Sequence, residues 1–170
     1  MMTRGFLKSG IHVYWYQAPA GRRRGITCSD FHIATLSHVV ARIARDFKLF
    51  GMLTLIATVY FNPGTTIQQI LAFFTKYQHH LDFSSSTGLP IPMILCGDFD
   101  CNVKDHKTKT QLCTVLLNRF SLALVTDPQE PTTPSGSCID LVFTRDLKLE
   151  CINSVCYFSY HRPITVFISE

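Results

Sequence analysis

A chain of 170 residues with 46% hydrophobic and 16% charged side chains fits one domain with ample core material, which excludes a largely disordered chain. Its longest apolar run, Phe50 to Phe61, is too short to span a bilayer, and no apolar stretch with a small-residue cleavage site follows the N-terminus, so an intracellular, non-secreted and membrane-free protein is expected. The formal charge of +4 suits a polyanionic partner without requiring one.

Ile11 to Gln17 alternates Ile11, Val13 and Trp15 with His12, Tyr14 and Tyr16, the period of a strand. Arg22-Arg23-Arg24 lies between Ala20-Gly21 and Gly25, and reads either as a solvated loop tip or as a contact for a polyanion. Ile33 to Arg45 fits a strand centred on His38 to Ile43, or a helix; its dense β-branched residues favour the strand. Met52 to Phe61 is almost unbroken apolar sequence, as in a strand covered on both faces. Asn62-Pro63-Gly64 ends it with turn chemistry.

Thr65-Thr66 offers an N-cap for a helix over Ile67 to Leu81, with Ile67, Ile70, Leu71, Phe74, Tyr77 and Leu81 at helical spacing. Asp82 to Gly88 is a polar loop, and Pro90 to Leu95 is a second buried strand that stops at Gly97. Lys109 to Phe120 is a second amphipathic helix, with Leu112, Val115, Leu116 and Phe120 on one face. A short strand at Leu122 to Val125, a turn-rich loop at Pro128 to Ser137, and strands at Ile139 to Phe143 and Ile164 to Ile168 complete the chain. This order suits an α/β sandwich of sheets flanked by helices.

The seven cysteines are odd in number, irregular in spacing and without a CxxC pair. Most sit in apolar segments, so they read as buried free thiols of a reducing compartment, with a zinc site or a disulfide framework as the alternatives.

Four segments place polar residues where apolar runs end: Tyr60 to Pro63, Gly97 to Asn102, Ser137 to Asp140, and Ser159 to Pro163. Strand ends on a rigid sheet hold catalytic groups well. Asp98 and Asp100 straddle Phe99, and in an extended segment both would point to one face. Two carboxylates so close need a cation, a shared proton or solvent, and a divalent cation with oxygen ligands is one solution; a capped strand end is the plainer one.

In order and in residue type these segments resemble the endonuclease/exonuclease/phosphatase family, which includes DNase I, and in particular the endonuclease domains of non-LTR retrotransposons. Gly97-Asp98-Phe99-Asp100 is similar to its Gly-Asp-Phe-Asn signature, Ser137-Cys138-Ile139-Asp140 to its Ser-x-Ile-Asp motif, and Ser159-Tyr160-His161-Arg162-Pro163 to its terminal Ser-Asp-His motif. Val59-Tyr60-Phe61-Asn62-Pro63 looks like its Val-Tyr-x-Pro element. The resemblance runs from about Gly10 to the end and implies a DNase I-like sandwich of two mixed β-sheets flanked by helices. It also implies a single domain over residues 1–170 that covers roughly the C-terminal two-thirds of the usual one and lacks its first strands.

The implied activity is metal-dependent phosphodiester hydrolysis, with DNA or RNA as substrate and the nucleus as one setting. Asp98 would orient or deprotonate water, Asp140 would hold His161, His161 would stabilise phosphoryl charge, Tyr60 would contact the scissile phosphate, and Asp100 would occupy the phosphate-binding position. Asp98 and Asp100 would hold Mg2+ or Mn2+ weakly, and Arg22, Arg23, Arg24 and Asn102 would meet nucleic acid. Three departures bear on activity. The family's Leu-Gln-Glu metal segment has no counterpart, Tyr160 replaces an aspartate, and Asp100 replaces an asparagine that donates to phosphate. Weak hydrolysis is therefore the expectation, with a non-cutting nucleic-acid-binding remnant and a small-substrate phosphatase or phosphodiesterase as the alternatives.

Overall fold

The computed structural model describes residues 10–11, 31–36, 39–49, 52–81, 88–155, 157 and 159–169. In chain order the elements are β1 (Gly10–Ile11), β2 (Phe31–Leu36), β3 (Val39–Leu49), β4 (Met52–Phe61), α1 (Ile67–Lys76), α2 (Gln78–Leu81), β5 (Met93–Asp98), α3 (His106–Phe120), β6 (Ala123–Leu124), β7 (Asp140–Arg145), β8 (Lys148–Asn153) and β9 (Ile164–Ser169). They form a six-stranded sheet, β2-β3-β4-β5-β7-β6, and a three-stranded sheet, β1-β9-β8.

In the larger sheet β4 and β5 run parallel and all other neighbours run antiparallel. The smaller sheet is antiparallel among the described residues, so the expectation of two mixed sheets holds for the larger one only. A parallel pair needs a crossover that returns the chain to the same end of the sheet, and α1 with α2 forms it.

Local chemistry accounts for the helix ends. Thr66 Oγ1 accepts from Gln69 N at 3.3 Å and Gln69 Oε1 accepts from Thr66 N at 2.8 Å, a reciprocal cap at the start of α1. Asp105 Oδ2 accepts from Thr108 N at 2.8 Å and starts α3 a turn earlier than the apolar spacing alone indicates. The helix expected over Ile67 to Leu81 breaks at Tyr77, whose φ of −104° and ψ of 18° leave the helical region.

Two cores share β5 and β7 by alternation. Met93, Leu95, Leu141 and Phe143 face α1 and α3, where they meet Ile70, Phe74, Leu112, Leu116 and Phe120. Ile94, Cys96 and Val142 face the other way and meet Ile164, Val166 and Ile168 of β9. Successive strand residues point to opposite faces, so each of these strands serves both cores. β4 is covered less evenly than expected. Leu55, Ala57, Val59 and Phe61 are buried against the helices, while Ile56, Thr58 and Tyr60 are half-buried and Leu53 is exposed.

Other boundaries differ from the sequence reading. The segment Ile33 to Arg45 belongs to two antiparallel strands, β2 and β3, rather than one. The strand expected at Pro90 to Leu95 lies at Met93–Asp98 and runs through Gly97. β8 was not anticipated: its exposed Lys148 and Glu150 alternate with half-buried Leu149 and Cys151, the mark of an edge strand. Asp146, with φ of 57°, turns the chain from β7 in one sheet to β8 in the other. Cys96, Cys101, Cys113, Cys138 and Cys151 are free, and burial pushes the Cys96, Cys101 and Cys138 thiols up to about 12. Most of the strand expected at Ile11 to Gln17, and Arg22, Arg23 and Arg24, lie outside the described residues.

Candidate active site

Strand register assembles the site. Tyr60 of β4 lies beside Asp98 of β5, and Asp98 lies beside Asp140 of β7. These three residues stand at one level across three adjacent strands, on the side that faces the smaller sheet. Two carboxylates directly opposite each other repel. The loop leading into β9 brings His161 to relieve that repulsion: its Nδ1 donates to Asp140 at 2.9–3.0 Å and its Nε2 lies 3.8 Å from Asp98 Oδ2.

The surroundings set the protonation. Asp98 is mostly buried, and desolvation pushes its carboxyl from an ordinary 3.8 up to about 6; the Asp100 backbone N–H at 3.0 Å from Oδ1 works against this rise, and the Asp140 charge adds to it. His161 is raised above its ordinary 6.5, chiefly by the hydrogen bond to Asp140. The hydrogen bond and the two neighbouring carboxylates thus shift the imidazole toward its charged form, with one ring nitrogen fixed and the other turned to Asp98.

The residues around these three hold them in place. Phe99 drops into the helix-side core between Phe61, Phe74 and Phe143, with ring centroids 5.5–6.2 Å away, and its N–H donates to Ile139 O at 2.9 Å. The Asp98 loop is thereby fastened to the chain entering β7. Asn102 adds a second fastening, since its Oδ1 accepts from Cys138 N at 3.0 Å and Lys104 N at 3.2 Å. Proposed from sequence as a nucleic-acid contact, Asn102 has its side-chain oxygen engaged within the loop.

Thr132 escaped the sequence reading. Fully buried, it accepts from Ile139 N and Asp140 N through Oγ1 at 3.0 and 3.1 Å, and its carbonyl accepts from Arg162 N at 2.8 Å. One side chain and its backbone thus tie the Asp140 strand to the His161 loop. A threonine in Pro-Thr-Thr-Pro carries no local signal of that task.

Asp100 stands apart from the cluster. Its φ of 48° ends the extended conformation, so Asp98 and Asp100 do not share a face as an extended segment would require. Its Oδ2 instead accepts from Gly64 N at 2.6 Å and ties the turn after β4 to the loop after β5. Among the described residues, Asp98, Asp140 and His161 each have a ligand atom within 4.8 Å of the others. That set is poor as a closed cage for a hard cation. His161 Nδ1 and the Asp140 oxygens are spent on each other, and an imidazole that favours its proton is a reluctant ligand. Asp98 remains as a single carboxylate, which fits an ion that completes its shell with water and substrate oxygens, as Mg2+ often does.

No protein-family profile and no curated protein matches the chain. Solved structures do. The human Nocturnin catalytic domain, determined with a bound sulfate anion, aligns at a TM-score of 0.53 with 17% identity over 82% of this chain and 60% of that one. A cytolethal distending toxin from Haemophilus ducreyi aligns at 0.49 with 13% identity over 85% and 60%, and an endonuclease/exonuclease/phosphatase family protein from Bacteroides thetaiotaomicron at 0.48 with 14% identity over 76% and 55%. The chain thus spans less than two-thirds of each. At these identities the likeness is one of fold: a mixed α/β architecture of the DNase I type.

Proposed function

We propose that this chain is a single domain that hydrolyses phosphodiester bonds in nucleic acid, in the manner of the endonucleases of mobile elements. The observation that carries the reading is His161, clamped by Asp140 at 2.9 Å and facing Asp98 at 3.8 Å. A phosphodiester is anionic and repels hydroxide, so its hydrolysis needs cationic or donor groups at the phosphoryl oxygens and a base for water. The charge-favouring His161 is suited to the first task and Asp98, poised at about 6, to the second. Asp140 acts through His161 by fixing its tautomer, and Tyr60 flanks Asp98 on the neighbouring strand. Bound Mg2+ or Mn2+ at Asp98 would neutralise charge on the phosphate. A tetrahedral oxyanion is the ligand class that such a site would suit, and the Nocturnin domain was determined with one, a sulfate.

A second reading, binding without cutting, is favoured by Asp100. Its carboxylate accepts from Gly64 N and lacks the amide N–H that an asparagine would offer to phosphate. One experiment separates the two. Plasmid DNA is incubated with the protein and Mg2+ or Mn2+, and nicking is followed beside salt-dependent DNA binding. Slow nicking that His161→Ala and Asp98→Asn each reduce at least a hundredfold supports hydrolysis. Salt-sensitive binding with no nicking supports the binder. Nicking that survives both substitutions would remove Asp98 and His161 from the chemistry.

A further inference from the structure

We infer that Tyr160 is a stacking platform for the nucleobase next to the scissile phosphate, which deepens the hydrolytic reading above and rests on it. Tyr160 is 54% exposed and belongs to neither core. Its ring is nonetheless held at two points. One is an edge-to-face contact with the His161 imidazole, at 5.6 Å between centroids and 79° between planes. The other is the phenolic hydroxyl, 2.9 Å from Ser135 Oγ.

Ser135 is itself anchored. Its Oγ lies 2.9 Å from Thr133 Oγ1, which lies 2.6 Å from Ser137 Oγ and accepts from Ser137 N at 3.2 Å. Thr133 is fully buried, and its backbone N–H donates to Ser137 O at 3.2 Å. The ring is therefore ordered without being buried. A solvated loop tyrosine has no reason to be held so, because ordering it costs conformational entropy that apolar burial does not offset. An ordered, half-exposed aromatic face is what a planar ligand needs, since the ordering cost precedes binding.

The neighbour decides which planar ligand. Tyr160 is adjacent in sequence and in space to His161, the group proposed to meet the phosphoryl oxygens. In a nucleic-acid strand every phosphate is flanked by nucleosides, so a phosphate at His161 brings a base to this ring. Every base offers a π face, and stacking on tyrosine is tolerant of sequence.

The test is an NMR titration of the full chain, with labelled tyrosine and histidine rings, by thymidylyl-thymidine and by an analogue of two deoxyriboses joined by one phosphodiester. Thymidylyl-thymidine is expected to shift His161 and to move the Tyr160 ring signals upfield. The base-free analogue should shift His161 alone and bind about tenfold more weakly. Tyr160→Leu, which also assigns the ring signals, should erase that tenfold preference. Tyr160→Phe should keep part of it, since it retains the face and loses the bond to Ser135. If both ligands shift His161 and bind equally, with Tyr160 unmoved, the platform is overturned while the hydrolytic reading stands. A preference that survives Tyr160→Leu also overturns the platform. If neither ligand shifts His161, both readings fall.

Discussion

Gly97→Ala tests how closely the site depends on strand spacing. Gly97 sits opposite Val59 in the parallel β4–β5 pair, one residue before Asp98, with φ of 151°. A Cβ there would lie 1.9 Å from Val59 O, against 3.4 Å for ordinary contact, so the two strands must part by about 1.5 Å. They cannot part freely, because β3 and β7 pair on the outer edges of β4 and β5. Overpacking of this kind costs about 1–3 kcal/mol, the strained backbone about 1–3 more, and a stretched ladder bond about 1. A total near 5 kcal/mol is a large share of the ~5–15 kcal/mol that holds a domain folded. Urea unfolding followed by circular dichroism should show that loss, with a fall in Tm of about 10 °C. Gly64→Ala is the control. Gly64 also has positive φ, at 85°, but nothing lies within 4 Å of its missing Cβ, so that variant reports the backbone cost alone. A loss in Gly97→Ala no larger than in Gly64→Ala would refute the clash, and with it the close β4–β5 approach that sets Tyr60 beside Asp98.

Asp140→Asn removes the main cause of the raised His161 pKa, so the imidazole should titrate lower by NMR; an unchanged value would mean that Asp140 does not hold the charge. The sign for stability follows: a raised His161 pKa stabilises the fold fully below about 6.5 and ceases to as pH rises through the folded value, so the Asn variant should lose stability mainly at acidic pH. Asp98 shares that direction of pH dependence. Its carboxyl is raised from 3.8 to about 6, so the folded chain binds that proton more tightly than the unfolded chain and stability falls as pH climbs through this window. Asp98→Asn should therefore raise the urea midpoint at pH 7 even as it removes the proposed base, and a lowered midpoint would count against the burial cost. Arg145 is buried, with Nε donating to Ile91 O at 2.9 Å and Nη1 to Leu81 O and Phe120 O at 3.2 Å each. Arg145→Met strands those carbonyls and should cost on the order of 3–5 kcal/mol in urea unfolding; a cost below about 1 would mean that water replaces the guanidinium.

Much of the fold was legible because periodicity is local. The β4 run, the Thr66 cap and the apolar spacing of Ile70, Phe74, Leu112 and Leu116 each announce an element within a few residues of themselves. What failed locally failed for identifiable reasons. β8 is a short edge strand whose alternation is written in charged residues, and the break at Tyr77 interrupts a spacing that continues in register to Leu81. The i, i+2 spacing of Asp98 and Asp100 invited a shared face, and a left-handed φ at Asp100 sent that carboxylate to Gly64 instead.

From the sequence alone came the α/β class, the order of the elements and the candidate carboxylates and histidine at strand ends. Which of those groups meet was decided by tertiary structure. Asp98 finds Asp140 through the register of β5 with β7, His161 reaches both from the loop leading into β9, and Thr132 ties the Asp140 strand to that loop. The physical reason is that a period of two assigns a residue to a face, while register between distant strands is set by the packing of both sheets. A face can be read one strand at a time, but a constellation of side chains exists only once the strands are paired.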